Sequence, residues 1–319
     1  MPDALTGTAQ LDWDTMAYDL LAYPSLRPQL YFDGVADVKP TRQSHRGASV
    51  RFTFTNDLAV ASTPISETAD VDAVAISNSN VDVTMTEYGN TTKTTAKIRN
   101  QSYIELDPTV ADLVGYNAGI SLDTVARDVV VAGTNVRYSG GVAGRTSVGT
   151  ANVLNANDVR RANVDLANAS VVPGAGGFYW SFIHNDVAYD LRKETGAGAW
   201  RTPREYVDPK DIMTGELGEF EGFRFVKTPR ARIFADASNG AGAAGTIDVY
   251  ATLFGGKQAL AKCHSTSEGN GALPRIVPGP VTDSLRRFVP MGWYWLGGYA
   301  IFRQAALRRV ESASSIGAN

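Results

Sequence analysis

The chain has 319 residues, and its 30 basic and 33 acidic side chains give a net charge of −3. Apolar residues make up 44% of it, which is enough to bury a core, so wholesale disorder is excluded. The near-neutral balance argues against a tight polyanion binder, because phosphate binding needs a basic surface. Cys263 is the single cysteine, so no intrachain disulfide can form.

Targeting and membrane signals are missing from the sequence. The first residues lack the basic and apolar segments of a secretory signal. The longest nearly apolar stretch, residues 291–302, is shorter than the roughly 20 residues that span a bilayer. We therefore expect a soluble protein that is made in a cytoplasm and has no membrane partner.

The first quarter of the chain predicts two projecting segments. A short helix over residues 15–22 is followed by an arm to about residue 45, whose Tyr31 and Phe32 have no partner nearby in sequence. Strands over residues 49–54 and 81–88 alternate apolar and polar positions, and Gly89 closes the second strand. The polar residues 55–80 between them predict a long exposed hairpin.

Two helices are predicted further along. Asp107 is a favourable N-cap and Pro108 a favourable first residue for a helix that Gly133 ends near residue 132. At 1.5 Å per residue, this helix would be a strut of about 35–40 Å. A second helix is expected over residues 157–169.

The remaining sequence is strand-like and interrupted by glycines. Strand patterns cover residues 177–183, 222–226, 246–254 and 288–310. Because helices and strands are segregated and do not alternate, the fold class is α+β.

Two patterns could indicate catalysis or nucleotide binding. Residues 240–245 match Gly-x-Gly-x-x-Gly, but the residues after them alternate as a strand, whereas a dinucleotide site needs a helix there. His184 with Asp186 and Asp190 could form a general base. The absence of a nucleophile or oxyanion donor favours an ordinary polar strand end. We expect no catalytic residues.

Metal and cofactor sites are not indicated either. The three histidines lack the spacing of metal ligands. Cys263 followed by His264 predicts a small buried thiol beside a loop histidine. We therefore expect neither a metal nor a cofactor.

The C-terminal region is locally basic. Aromatic residues lie in the same region, within an apolar run that is more typical of a core than of a nucleic-acid surface. The interpretation favoured from sequence is ion pairs between subunits, with Asp283 and Glu311 as counter-charges. The basic residues concerned are Arg286, Arg287, Arg303, Arg308 and Arg309, and the aromatic residues are Trp293, Tyr294, Trp295 and Tyr299.

Five segments in order resemble one known family. They are GASVRF with ASTPISE (residues 47–52 and 61–67), VTMTEYG (83–89), GELGEFEGFRFVKTP (215–229), DVYATLFG (248–255) and MGW (291–293). Together with the order of predicted parts, they resemble tailed-phage major capsid proteins of the Hong Kong 97 fold, and within these the major capsid family of N4-like phages. The resemblance covers residues 10–311.

The resemblance implies a division of the chain into parts. It implies an N-terminal arm (1–45), an extended loop (46–85) and a peripheral domain with a long spine helix (86–135). It also implies an axial domain with a mixed sheet (136–271), a returning peripheral strand (272–287) and a C-terminal part of the axial domain (288–319).

By the same resemblance, the protein would be the coat subunit of an icosahedral head that encloses double-stranded DNA. Its partners would be other copies, in hexamers and pentamers, with portal and scaffolding proteins, a decoration protein, and packaged DNA bound without specificity. Its location would be the virion capsid, after assembly in the bacterial host cytoplasm. The start at Met1 leads us to expect a separate scaffold, and the absence of lysine between Lys39 and Lys93 argues against isopeptide cross-links.

Arm and hairpin residues are expected to lack partners within their own chain and to be exposed there. Residues expected to contact another copy are Trp13, Tyr18, Phe52, Phe54, Pro64, Ile65, Asp283, Arg286 and Arg287. Two other classes stay open: another extended β-rich phage structural protein, such as a tail tube or adhesin, and an enzyme that uses His184 or the glycine loop.

Overall fold

The computed structural model describes residues 31–40, 49–62, 64–65, 67–68, 70–101, 106–195, 216–266, 271–280, 283–285 and 287–316. The helices are α1 (Ala96–Gln101), α2 (Leu106–Val131), α3 (Ala156–Asn168) and α4 (Asn185–Lys193). The first strands are β1 (Asp37–Pro40), β2 (Ser49–Thr55), β3 (Asn78–Thr84), β4 (Thr86–Thr95), β5 (Val136–Tyr138), β6 (Tyr179–Ile183) and β7 (Glu216–Phe220). The others are β8 (Phe223–Lys227), β9 (Ile233–Ser238), β10 (Ile247–Gly255), β11 (Leu260–His264), β12 (Arg275–Pro278), β13 (Phe288–Ile301) and β14 (Leu307–Ser312). The predicted α+β class is confirmed.

One sheet is organised around the long strand β13. One edge of β13 pairs with β4 over ten residues, and its other edge pairs with β12 and β11, the latter also carrying β1. The sequence prediction that Gly89 ends a strand is wrong, because β4 continues to Thr95. Gly89 instead permits close pairing, since a Cβ there would lie 2.8 Å from the carbonyl oxygen of Trp293.

The second sheet has the order β5-β14-β10-β6-β8-β7, with β9 also paired to β10. Its core face is covered by apolar residues of α3 and α4, including Val159, Leu166, Val187 and Leu191. Helix α3 confirms the second predicted helix. Helix α4 was not predicted, because it is only nine residues long and therefore shows few apolar repeats.

The predicted strut helix is α2, which begins at Leu106, two residues before the expected first residue Pro108, and ends at Val131, one residue before the expected end. Asp107 therefore lies within the helix and is not its N-cap. Its buried side chains recur every four residues, from Val114 through Ala118, Leu122 and Ala126 to Val130. They share one core with Leu260, Trp293 and Trp295 of the first sheet and with Phe182, Leu253 and Leu307 of the second. The strut therefore joins the two sheets.

Strand pairing connects several of the parts expected from sequence. Strand β13, expected in the axial region, pairs with β4 and β12, both expected in the peripheral region. Strand β14 of the same C-terminal region pairs with β10 and β5 in the other sheet. The exact six-part division stays a prediction.

Candidate functional site

The segment between β2 and β3, residues 56–77, is called here the hairpin loop. Val60 is 90% exposed and Ile65 75% exposed. The segment contains four carboxylates and no basic residue. The other large apolar side chains that stay mostly exposed there are Leu58, Val71, Val74 and Ile76. The predicted exposed hairpin is therefore confirmed for the described residues.

Polar pairs within the hairpin hold its strands together. The Arg51 guanidinium donates to both carboxylate oxygens of Asp82, at 2.7 and 2.8 Å, and this hydrogen bonding lowers the pKa of Asp82. Where the strands end, Asn56 Nδ2 donates to Ser77 Oγ at 3.1 Å, and Ser79 Oγ donates to Asn56 Oδ1 at 3.1 Å. These bonds order the base of the loop without using its apolar side chains.

The base of the hairpin packs on the first sheet. Phe52 is only 6% exposed and lies with Val83 against Ala261 and Cys263 of β11. The expectation that Phe52 is exposed in an isolated chain is therefore wrong. The predicted alternation of β2 is correct, but its apolar face covers the sheet of its own chain. Phe54 is half-buried, with its ring 5.6 Å from that of Phe302.

The other predicted contact residues have different surroundings. Pro64 and Ile65 are exposed in the hairpin loop. Asp283 accepts hydrogen bonds from the backbone and guanidinium nitrogens of Arg287, at 3.2 and 3.1 Å, which lower the pKa of Asp283. Trp13, Tyr18 and Arg286 lie outside the described residues. Contact of these nine residues with another copy stays a prediction.

Residues 31–36, called here the arm root, pack on their own chain. Phe32 is 1% exposed, and its ring centroid is 4.7 Å from that of Phe182. The expectation that Phe32 is exposed in an isolated chain is wrong, because α2 and β6 supply partners that are remote in sequence.

Buried charges fix the arm root at the junction of the sheets. Lys262 Nζ donates to both carboxylate oxygens of Asp33, at 2.7 and 2.8 Å, and the Tyr299 hydroxyl donates to Asp33 Oδ1 at 2.5 Å. Asp123 accepts the Phe32 N–H at 2.8 Å and pairs with Arg230 at 3.3 Å. Burial raises the pKa of Asp123 and of Tyr299.

The C-terminal arginines form ion pairs within the chain. Arg145 donates two 2.8 Å bonds to the fully buried Glu311, and Arg309 pairs with the same carboxylate at 2.8 Å. Arg308 lies 3.4 Å from Asp165. The prediction that Glu311 is a counter-charge between subunits is therefore wrong. The reason is that β14 lies inside its sheet, between β10 and β5.

The aromatic run near these arginines follows the prediction in part. Trp293, Trp295 and Tyr299 are buried, so their expected core position is confirmed. Tyr294 is half-exposed, and its hydroxyl donates to Glu87 at 3.1 Å.

His184 directly follows the last residue of β6, as predicted for a polar strand end, and it also caps α4. Its Nδ1 accepts the Asp186 N–H at 3.3 Å, and the Tyr250 hydroxyl donates to Asp186 Oδ2 at 3.1 Å. Burial lowers the pKa of His184 below its usual range. Asp190 accepts bonds from Ser314 and Ser315 instead of facing His184. These groups order the fold around α4.

The glycine loop and the Cys263–His264 pair were also candidates. Residues 240–245 lead into strand β10, which confirms the prediction that no helix follows them. Cys263 is buried, as predicted, and burial raises the pKa of its thiol. His264 is buried on β11, so its expected loop position is wrong.

The described part of the chain contains neither a metal-ligand cluster nor a helix that could span a membrane. No group of three or more potential metal ligands lies together there. No helix among those residues is both long and apolar enough to cross a bilayer.

The described residues thus form an ordered body with an exposed hairpin loop that is both apolar and acidic. The family model for phage capsid proteins matches residues 15–316, so the chain belongs to the phage capsid protein family. Among curated proteins, none matches this chain.

Solved phage capsid structures share the fold of the chain. The capsid of Ralstonia phage GP4 is 14% identical with a TM-score of 0.74, covering 98% of each chain. The Cyanophage Pam1 capsid is 13% identical with a TM-score of 0.71, covering 99% of this chain and 100% of the other. The capsid of Cyanophage P-SCSP1u is 14% identical with a TM-score of 0.69, covering 99% and 97%. At these identities the likeness concerns the fold alone.

Proposed function

We propose that the protein is the major capsid protein of a bacteriophage and that its copies assemble into the icosahedral head shell around the DNA genome. The observation that carries this proposal is the hairpin loop, whose six large apolar side chains remain mostly exposed in the isolated chain. Fully burying one such side chain is worth about 1.5–3 kcal/mol. Contact with other copies can supply that burial.

Repetition makes these contacts sufficient for a durable shell. Each copy offers the same loop, so one weak contact is repeated throughout the assembly and gains strength through multivalency. Membership of the phage capsid protein family supports the same function.

The finer assignments are part of the proposal. They are a fold of the Hong Kong 97 type and, from the sequence resemblance, a place in the major capsid family of N4-like phages. The copies form hexamers and pentamers, assembled in the bacterial host cytoplasm with portal and scaffolding proteins and, where present, a decoration protein. DNA is enclosed without sequence-specific binding, which agrees with a net charge near zero.

Assembly of the purified chain tests the proposal. The chain is expressed with and without a co-expressed phage scaffold, then examined by sedimentation velocity and cryo-electron microscopy. Closed particles of uniform diameter are expected. Tubes, fibres or open rings would favour a tail-type or adhesin function, and a stable monomer at high concentration in both preparations would contradict assembly.

A matched pair of variants connects assembly to the loop. Val60→Ser with Ile65→Ser removes exposed apolar surface from the hairpin loop and is expected to reduce particle yield strongly. Val164→Ser with Tyr189→Ser makes a similar change at exposed positions of α3 and α4. If both pairs reduce the yield equally, the loop has no special part in assembly.

A further inference from the structure

Two arginine side chains share one buried carboxylate on β14. The Glu311 side chain is fully buried, and Arg145 donates to its two oxygens at 2.8 Å each. Arg309 Nε lies 2.8 Å from Oε1 of the same carboxylate, the oxygen that also accepts from Arg145. This Nε is not hydrogen-bonded to any described atom. One negative charge therefore faces two positive charges, and one positive charge is left in surplus.

Burial makes this surplus charge costly. The Arg309 side chain is only 10% exposed. Burial lowers the pKa of Arg309; the attraction of Glu311 opposes this shift, and the positive charge of Arg145 adds to it. The guanidinium nevertheless stays protonated at neutral pH. Because a buried charge without full compensation destabilises a folded chain, a further anion beside Arg309 would stabilise it.

A third arginine lies close to Arg145. The guanidinium carbon of Arg145 lies 3.4 Å from the centroid of the Phe234 ring, and that of Arg232 lies 5.5 Å from the same centroid. The ring attracts both cations without occupying their N–H donors. Arg232 is exposed and the Arg145 side chain is 33% exposed, so a ligand can reach them from solvent. We call Arg145, Arg232 and Arg309 the arginine cluster.

The chemistry of the arginine cluster suits a phosphate group. A guanidinium presents paired N–H donors that match two phosphate oxygens. A phosphate group has more oxygens than a carboxylate, so it can accept from more than one arginine, and its negative charge offsets the surplus positive charge. Backbone phosphates of DNA and free inorganic phosphate share this chemistry.

We propose that the arginine cluster binds a phosphate group, which enters beside Arg145 and Arg232 and neutralises the surplus charge next to Glu311. The site goes beyond the proposed shell function, because it needs no contact between copies. Where the phosphate belongs to DNA, the contact is made with the backbone and carries no sequence information.

Thermal unfolding in inorganic phosphate tests the site. The midpoint is measured in phosphate, chloride and acetate at equal ionic strength, with the chain kept unassembled. Bound phosphate stabilises the folded chain by mass action, so the midpoint should rise by roughly 2–4 °C at phosphate concentrations well above the dissociation constant. Acetate should have a smaller effect. Phosphate also stabilises proteins in general through exclusion from their surface, so variants are needed to isolate the site.

Matched variants separate the site from this general effect. Arg232→Gln removes an exposed cation of the cluster and should clearly reduce the rise. Lys227→Gln removes the same charge at an exposed position outside the cluster, and the rise should stay unchanged. Circular dichroism checks that each variant is folded.

Arg309→Met removes the surplus charge itself, while Arg145 still pairs with Glu311. This variant should respond to phosphate less than the unaltered chain, without a lower midpoint in chloride. A purely structural ion pair would instead lower that midpoint. Arg232→Gln decides the outcome even where Arg309→Met does not fold.

Fluorescence anisotropy of a labelled DNA duplex distinguishes the two sources of phosphate. Binding to the unassembled chain is measured at a series of salt concentrations. If the DNA backbone occupies the cluster, Arg232→Gln should weaken binding for all sequences alike and reduce the slope of log affinity against log salt by about 1. If Arg232→Gln reduces the phosphate response but not DNA binding, the ligand is free phosphate.

Two results would overturn the site. Equal phosphate responses of the unaltered chain, Arg232→Gln and Lys227→Gln would assign the rise to general exclusion of phosphate. An equal rise in acetate would favour an acidic side chain as the ligand. Neither result bears on the shell function, which fails only if the unaltered chain forms no closed particles.

Discussion

The hairpin loop and the arm root are two projecting segments that the sequence presents alike, and the structure treats them in opposite ways. Phe32 of the arm root is 1% exposed in the core between α2 and β6, whereas Ile65 of the hairpin loop is 75% exposed. In the arm root, Lys262 and Tyr299 satisfy the Asp33 carboxylate, and Asp123 of α2 accepts the Phe32 N–H. In the loop, the carboxylates and apolar groups face solvent.

This contrast separates side chains that find their partners within one copy from side chains that remain exposed there. Burial of Phe32 and pairing of Asp33 contribute to the folding of one copy. The loop side chains stay exposed and contribute little to that folding. Their burial can therefore stabilise the association of one copy with another. Substitutions in the two regions should therefore affect two different measurements.

The largest expected effect on folding is that of Phe32→Ala. Removal of a buried phenylalanine ring should lower the free energy of unfolding by about 3–5 kcal/mol, because it loses apolar burial and leaves a cavity. Denaturant titration under conditions that keep the chain monomeric measures this change. A loss below about 1 kcal/mol would mean that the arm root is not part of the core.

The next effect is that of Lys262→Met. The substitution keeps an apolar stem but leaves the partly exposed Asp33 carboxylate with only its Tyr299 hydrogen bond, and we expect a loss of about 1–2 kcal/mol. Lys97→Met is the matched control, since Lys97 is exposed, and it should leave the free energy of unfolding unchanged. Equal effects of the two substitutions would contradict the role of the buried pair.

Mild acid should lower the free energy of unfolding, because burial disfavours the protonated form of two histidines in the folded chain. Burial lowers the pKa of His184 and of His264, so the unfolded chain takes up protons at a higher pH than the folded chain. The free energy of unfolding should therefore fall as pH drops below about 6.5, by at most about 1.4 kcal/mol per pH unit for each histidine. Denaturant titrations between about pH 7.5 and about pH 5.5 measure the slope.

The double variant His184→Gln with His264→Gln should flatten this slope. Asp123 and Asp158 act in the opposite sense, because burial raises their pKa and protonation then favours the folded chain. An unchanged slope in the double variant would assign the acid effect to other groups.

Alkaline pH should also lower the free energy of unfolding of the chain. Burial raises the pKa of Tyr250 and of Tyr299 above the usual value near 10, so the unfolded chain loses these protons first. The stability that these two tyrosines contribute through their raised pKa values is fully present below about pH 10 and is lost as the pH rises above it. Tyr299→Phe should reduce the alkaline loss, as measured by denaturant titration. Equal losses with and without Tyr299 would contradict this assignment.

The smallest effect on folding is expected for Ile65→Ala. An exposed side chain contributes little within the chain, so the free energy of unfolding should change by no more than about 0.5 kcal/mol. Particle formation, followed by light scattering, should nevertheless be slower. A large loss of folding stability would show that the loop packs within its own chain, and the contrast with the arm root would disappear.

Local sequence signals predicted much of this architecture. Asp107 and Pro108 before regular apolar spacing predicted α2 almost to its ends, and strict alternation predicted β2 and β10. The polar stretch after β2 predicted an exposed loop. Helix α4 was missed because its N-cap is His184, an unusual capping residue, and because nine residues show few apolar repeats.

For the candidate site residues too, local patterns predicted part of the structure, whereas residues distant in sequence decided the rest. The alternation of Phe52 and Phe54 was correct, but whether their face met solvent depended on β11 and Phe302, which lie more than 200 residues away. Likewise, Glu311 was expected between subunits, and Arg145 reaches it from 166 residues away within one chain.

By itself, the sequence determined the α+β class, the strut helix and the exposed hairpin, because caps, periodicity and composition act between near neighbours along the chain. Tertiary structure decided that the arm root is buried and that Glu311 and Asp33 are paired internally. These outcomes depend on contacts between residues distant in sequence, and no local pattern encodes which distant partner will cover a given side chain.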